Sequence, residues 1–343
     1  MTAAPPLTPR FLPERALGWR DGPLDGITCV LRCVEAVLQA HGYGPVDVAR
    51  CLGGELDLLA RDMALEFPGC RLDWRFADDG RDNWDHLIRH VGSGEPVIVM
   101  PDLYYYPGSY YERQFHYHDH SVLAVGWDAS AEVLTVLDTL GPPEAGYRRE
   151  LPKSPELVTC CTRMTRVELT RPVDRRPSEV YAGEQIARHT PTVAASARAL
   201  RRLLEGHQRD GVDGITARAI HLLVLGHVQP LLFLFGSSIG PDAGSSFQRV
   251  RKAALHAATR ANWFGRALIH GHEQPDPAPH YSTALTVGGG MLDALDQLAA
   301  AMTAAGGDDR VPAQRADEAD AALHGRLREI VHICYSPPRE ATL

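Results

Sequence analysis

Apolar residues recur at helical spacing through Val30, Cys33, Val34, Val37 and Leu38. This predicts a helix that opens behind Thr28 as N-cap and closes at Gly42. A second short helix is predicted over Pro45–Leu52, stopped by Gly53 and Gly54, and a third over residues 56–67. The period then changes. PVIVMPD at 96–102, HSVLAVGW at 120–127 and EVLTVLD at 132–138 read as buried strands, the last two joined through 128–131 as a β-hairpin. Residues 158–169 suit one more strand, and Pro-rich stretches at 152–155 and 172–177 mark a boundary. From Ser178 onward VAASARALRRLLEG, FQRVRKAALHAATRANWFGRALI and MLDALDQLAAAMTAA carry amphipathic helical spacing, separated by Gly-rich breaks at 236–245 and 288–290. The expected class is α+β, with a catalytic domain over 1–175 and a mostly helical domain over 176–343.

The pattern brings three chemically apt side chains into question. Cys29 stands at the start of the first predicted helix, where unpaired backbone N–H groups stabilise a thiolate. Cys33, one turn on, falls on the apolar face as a buried, inert thiol. In the hairpin, a turn over 128–131 pairs Trp127 with Glu132, so opposed residue numbers sum to about 259 and His120 falls opposite Asp138 or Thr139. Side chains directly opposed on one face lie ~5 Å apart at Cβ, close enough for a histidine–carboxylate hydrogen bond. The carboxylate would fix the imidazole tautomer and stabilise the imidazolium. Cys29, His120 and Asp138 in that order along the chain follow the papain-type order. His116 and His118 would need partners near 141–143, Gly-Pro-Pro, where no carboxylate stands.

Two further features compete for attention. His116, His118 and His120 alternate and would project from one face of an extended strand, an arrangement a metal site could use. No additional ligand announces itself, and a thiol–imidazole site needs no metal. The tyrosine-dense segment from Tyr104, Tyr105 and Tyr106 towards His120 offers flat faces and hydroxyls for one wall of an acceptor pocket. Asp102, at a strand end, is a second carboxylate for an amine or for another face of His120.

Composition narrows the function. The net charge is −8 at pH 7 over 343 residues, which argues against nucleic-acid binding. Arg supplies nearly all the positive charge, since Lys153 and Lys252 are the only lysines. Seven cysteines, without Cys-x-x-Cys spacing, suggest free thiols in a reducing cytoplasm. The opening MTAAPPLTPRFLPERALGWR lacks the apolar core of a secretory signal, and the longest apolar stretch, 220–235, is interrupted by His221, His227, Gln229 and Pro230. No membrane segment is expected. No phosphate-binding loop is present either, so an already activated substrate fits better than ATP-dependent chemistry.

At GITCVLRCVEAVLQAHGYG, CLGGEL, EPVIVMPDLYYYP, HSVLAVGWD and VLTVLD the sequence resembles the family of the butirosin biosynthesis acyltransferase, over roughly residues 24–140. The amide synthetases of lincosamide assembly are similar. The resemblance implies a papain-like N-terminal half. It also implies an enzyme that takes an acyl or aminoacyl group from the phosphopantetheine thioester of a carrier protein, through Cys29, to the amine of a sugar-type acceptor. His120 would be the base and Asp138 its partner, with no other cofactor. The sequence departs from papain-type enzymes in having no Gln between residues 1 and 38, so the usual oxyanion glutamine is absent. The runner-up functions are a cysteine peptidase or amidohydrolase with the same triad, and a non-catalytic metal-binding protein.

Overall fold

The first apolar stripe forms helix α1, Cys29–Ala40, which buries Leu31, Cys33, Val34, Val37 and Leu38. Gly42, at φ 86°, takes the left-handed conformation that closes it, where a side chain would be strained. The structure is a computed structural model that describes residues 29–53, 65–66, 69–109, 112–113, 116, 118, 120–138, 140–141, 147–170, 174–272, 278–308 and 313–335. The expected N-cap Thr28 lies outside them. Helix α2, Pro45–Leu52, begins with Pro at its first turn and with Asp47 receiving the Gly44 N–H. Most of the helix expected over 56–67 also lies outside the described residues, but Leu65–Glu66 is a strand, β1, so that helix does not continue to 67.

Nine short strands and nine helices are described, and every described strand pairing is antiparallel. A small sheet joins β1, β2 (Cys70–Leu72) and β9 (Val167–Leu169). The larger sheet has the order β3 (Arg75–Phe76), β8 (Arg163–Thr165), β4 (Val97–Met100), β5 (Val122–Asp128), β6 (Val133–Leu137) and β7 (Arg148–Pro152). The chain is thus α+β, as its pattern predicts. Helix α3, Arg81–Gly92, covers β4 and β5, with Trp84 edge-on to Trp127 at 5.7 Å.

Residues 158–169 are not one strand. Ser154 accepts the Leu157 N–H at 3.1 Å and Pro155 opens helix α4, Pro155–Cys160, before the chain turns into β8 and β9. The hairpin register also differs from the expected one. Asp128 pairs with Val133 and Trp127 with Leu134, and a bulge between Ala124 and Gly126 shifts the ladder to Ala124–Val136 and Leu123–Leu137. The turn occupies 129–132, with Glu132 at φ 50°.

The second half is built from α5 (Ser178–Asp210), α6 (Gly214–Leu231), α7 (Ser245–His272), α8 (Ala278–Ala304) and α9 (Ala313–Tyr335) around one apolar core. The glycines at 288–290 do not separate helices. They lie inside α8, where Gly288 lets that helix approach Phe264 of α7 and Leu204 of α5 so closely that a Cβ would crowd both. After α6 the helix widens into a π-helical turn, Leu232–Ser237. That turn carries Leu232 and Phe233 into the core formed by α1, α2 and the sheet. Gly53, at the end of α2, approaches the backbone of Leu234 so closely that a Cβ would lie 3.1 Å from its nitrogen. No helix among the described residues is long and apolar enough to cross a membrane.

Candidate active site

Antiparallel pairing brings three strand ends to one edge of the large sheet. β4 runs out at that edge, β5 enters from it and β6 returns to it. The residues just beyond the ladder are therefore Asp102, His120 with Ser121, and Asp138. Helix α1 packs across β4 and β5, so its first residue, Cys29, meets the same edge. The Ser121 N–H donates to the Cys29 sulfur at 3.1 Å.

His120 joins the two ends of this arrangement. Its Nε2 lies 2.7 Å from Asp138 Oδ1, and the ring also hydrogen-bonds Cys29. With Nε2 committed to the carboxylate, Nδ1 is the nitrogen left for the sulfur. Burial alone would lower the imidazole pKa. The hydrogen bonds it donates to Asp138 and Cys29, and their charges, overcome that and hold it at about 10. Although the register is not the expected one, His120 and Asp138 meet because both lie past the ladder, free of the pleat.

Asp138 has no solvent exposure, yet both its oxygens are fully engaged. Oδ1 accepts from His120 and from the Leu140 N–H at 2.9 Å; Oδ2 accepts from the Tyr106 hydroxyl and from Arg149 Nη1, each at 2.7 Å. Burial would raise its pKa, but the bond and charge of His120, with the Leu140 N–H and the Tyr106 hydroxyl, depress it to about 2. Four donors keep this buried carboxylate ionised.

Tyr106 is 1% exposed and spends its hydroxyl on Asp138, so it stands behind the carboxylate rather than on a pocket wall. Arg149 was not legible in the sequence. RRELP lacks strand alternation, and only its pairing as β7, with Arg149 opposite Val136, aims the guanidinium at Asp138. Arg149 also donates to the Pro107 carbonyl at 2.6 Å and lies 5.3 Å over the Tyr106 ring.

The remaining histidines do not converge with His120. His116 Nδ1 lies 2.7 Å from Asp102 Oδ2, so it does find a carboxylate, just past the end of β4 rather than near 141–143. Tyr104 stacks on the His116 ring at 4.4 Å and Tyr105 meets it edge-on at 5.6 Å. Asp102 therefore serves His116, not another face of His120. His118 bonds the Pro101 backbone and is lowered to about 4, by burial first and then by the charge of Arg163. Among the described residues no group of three or more His, Cys, Asp or Glu could hold a metal ion.

No curated protein matches the chain. Residues 52–139 match the family described as Butirosin biosynthesis protein H, N-terminal, a segment that contains Asp102, His120 and Asp138 and ends before the helical half. Cys29 precedes it. This match supports the likeness of the chain to butirosin biosynthesis protein H.

Proposed function

We propose that the chain is a carrier-protein-dependent acyl or aminoacyl transferase of natural-product biosynthesis, with a papain-like catalytic domain over 1–175 and a helical domain over 176–343. The observation that carries this reading is the continuous hydrogen-bonded line from Cys29 through His120 to a buried, ionised Asp138. In the first step the Cys29 thiolate attacks the thioester carbonyl of an acylated carrier protein. The donor C–S bond breaks, and the departing phosphopantetheine thiolate takes the proton of the His120 imidazolium. In the second step an amine attacks the acyl-Cys29 thioester, His120 accepts the amine proton, and the Cys29 thiolate is expelled as the amide forms. The thioester supplies the activation, so neither ATP nor a metal is called for, and a reduced thiol fits a cytoplasmic setting.

Asp102, His116, Tyr104 and Tyr105 form the acceptor side in this reading. They share the sheet edge with His120, and the Asp102–His116 pair beside two aromatic faces suits an aminated sugar. Backbone N–H groups at the start of α1 take the place of an oxyanion glutamine.

The test is intact-mass analysis after incubation with acylated carrier proteins, followed by addition of amines. An acyl adduct on Cys29 that passes to an amine is the expected result. It should vanish in Cys29→Ala and survive in Cys33→Ala. Release of free acid in preference to amide would instead indicate a hydrolase.

A further inference from the structure

Helix α7 carries five basic residues and no acidic one, in a chain whose net charge is −8. Arg249, Lys252, His256, Arg260, Trp263 and Arg266 recur at steps of three and four residues, which places them on one stripe about 26 Å long at 1.5 Å per residue. Arg249, Lys252, Trp263 and Arg266 are exposed. Among the described residues none of the four cations on this stripe has a carboxylate partner. Arg260 instead bonds His256 and lies 5.0 Å over the Trp263 ring. Trp263 is 52% exposed, a large apolar surface inside a ring of positive charge.

The contrast with α5 is informative. Its Arg201 is neutralised by Asp296 at 2.7 Å and Asp293 at 3.6 Å, and its Arg202 by Asp320 at 3.0 Å. On α7 itself, Arg251 turns inward to the Gly236 carbonyl. Arg201 and Arg202 are thus held by carboxylates, whereas the cations of the α7 stripe stand together without one among the described residues. The stripe is also tied to the candidate active site. Leu255 and Ala258, on the inner side of α7, pack against the core that holds α1, as do Leu232 and Phe233 of the π-helical turn.

We propose that the outward face of α7 is the docking surface for an acidic protein, namely the acyl carrier protein of the reading above, on which this inference rests. Uncompensated cations steer an acidic surface into place, and Trp263 with Arg260 supplies the kind of aromatic–arginine anchor that dominates interface energies.

The test measures binding and acylation separately. A carrier protein labelled on its phosphopantetheine thiol would be titrated with the wild-type chain, with Arg249→Glu/Lys252→Glu/Arg266→Glu, with Trp263→Ala, and with Arg198→Glu on α5 as control. Acylation of Cys29 by a small N-acetylcysteamine thioester would be followed by mass in each. The expected result is a salt-sensitive complex that weakens about tenfold or more in the triple and Trp263 variants. The Arg198 variant should bind normally, and acylation by the small thioester should be the same in all. Unchanged carrier affinity in the triple variant overturns the docking surface and leaves the transferase reading intact. Failure of any thioester to acylate wild-type Cys29 overturns that reading, while the α7-dependent complex is still read by anisotropy. A duplex DNA that displaces the carrier at equal concentration would also overturn the proposal, by showing a nucleic-acid face.

Discussion

Asp138 and Glu35 show how one chemical group is given opposite properties by its neighbours. Asp138, surrounded by four donors, is held down to about 2, and its partner His120 is held up at about 10. The stability contributed by the raised imidazole is fully present below its ordinary value of 6.5 and is lost as pH rises through about 10. That contributed by the depressed carboxylate is present above its ordinary 3.8 and is lost as pH falls through about 2. In Asp138→Asn the charge is gone and burial, the largest influence on His120, acts with less opposition. The His120 titration, followed by NMR, is then expected to fall well below 10 and activity to drop by orders of magnitude. A titration still near 10 would show that Cys29, not Asp138, sets the imidazole. Glu35 has the reverse setting. It is buried in α1, where among the described residues Gln39 alone hydrogen-bonds it, at 3.2 Å, and burial, opposed by the charge of Arg32, pushes it up to about 7. The folded state therefore holds the Glu35 proton longer than the unfolded chain, and stability falls as pH rises from 4.5 to about 7. Glu35→Gln is expected to match the wild type in urea denaturation at pH 4. At pH 8 it should be more stable, on the order of a few kcal/mol. Equal stability at both pH values would sink this account.

At the level of elements, the π-helical turn Leu232–Ser237 sets two buried side chains, Leu232 and Phe233, into the core behind α1, beside Leu255 and Ala258 of α7. Phe233 is 1% exposed within that core, so Phe233→Ala is expected to cost about 3–5 kcal/mol in chemical denaturation, the usual range for an emptied aromatic site. A loss below about 1 kcal/mol would mean the two halves are held together elsewhere. The sequence signalled little of this turn, because LLFLFG reads simply as an apolar run and a π-helical widening has no period of its own. The strands β4, β5 and β6 were legible because they are continuous apolar runs bounded by polar residues. Their register was not, since the bulge at Ala124–Gly126 leaves no mark in the pattern. His120 and Asp138 could be paired in advance only because both lie next to a short hairpin, where an error of one or two residues still leaves them neighbours. Arg149 and the Asp102–His116 pair depend on β7 and on the path of the tyrosine loop, neither of which carries a local signal. The glycines of α8 misled for a related reason. Gly usually breaks a helix, but here helix packing against Phe264 outweighs its propensity.

For the whole molecule, the decisive contact is Arg50, a cation 6% exposed at the end of α2. Its Nη1 donates to the carbonyls of Asp174 at 2.8 Å and Arg176 at 2.7 Å, and its Nη2 to the Ser178 hydroxyl at 3.4 Å and the Ser238 carbonyl at 3.5 Å. The guanidinium also lies 4.7 Å over the Tyr181 ring, whose hydroxyl bonds the Gly53 carbonyl at 3.3 Å. One side chain of the N-terminal half thus gathers the connecting segment, the start of α5 and the end of the π-helical turn. No carboxylate neutralises it in these bonds. Its charge is met by carbonyl dipoles and an aromatic face, which commits it to this one position. Arg50→Met fills much of the same volume but leaves the carbonyls of Asp174 and Arg176 without this donor. It is expected to lower stability by about 1–3 kcal/mol. It should also separate two unfolding signals. Tryptophan fluorescence reports chiefly on residues 1–175, which hold four of the five tryptophans, Trp263 being the other, whereas far-ultraviolet circular dichroism is dominated by the long helices. In the wild type the two midpoints in urea should coincide, and in Arg50→Met they should part, because the halves no longer unfold as one unit. Coincident and unshifted midpoints in the variant would assign the coupling to the apolar plug of Leu232 and Phe233 alone.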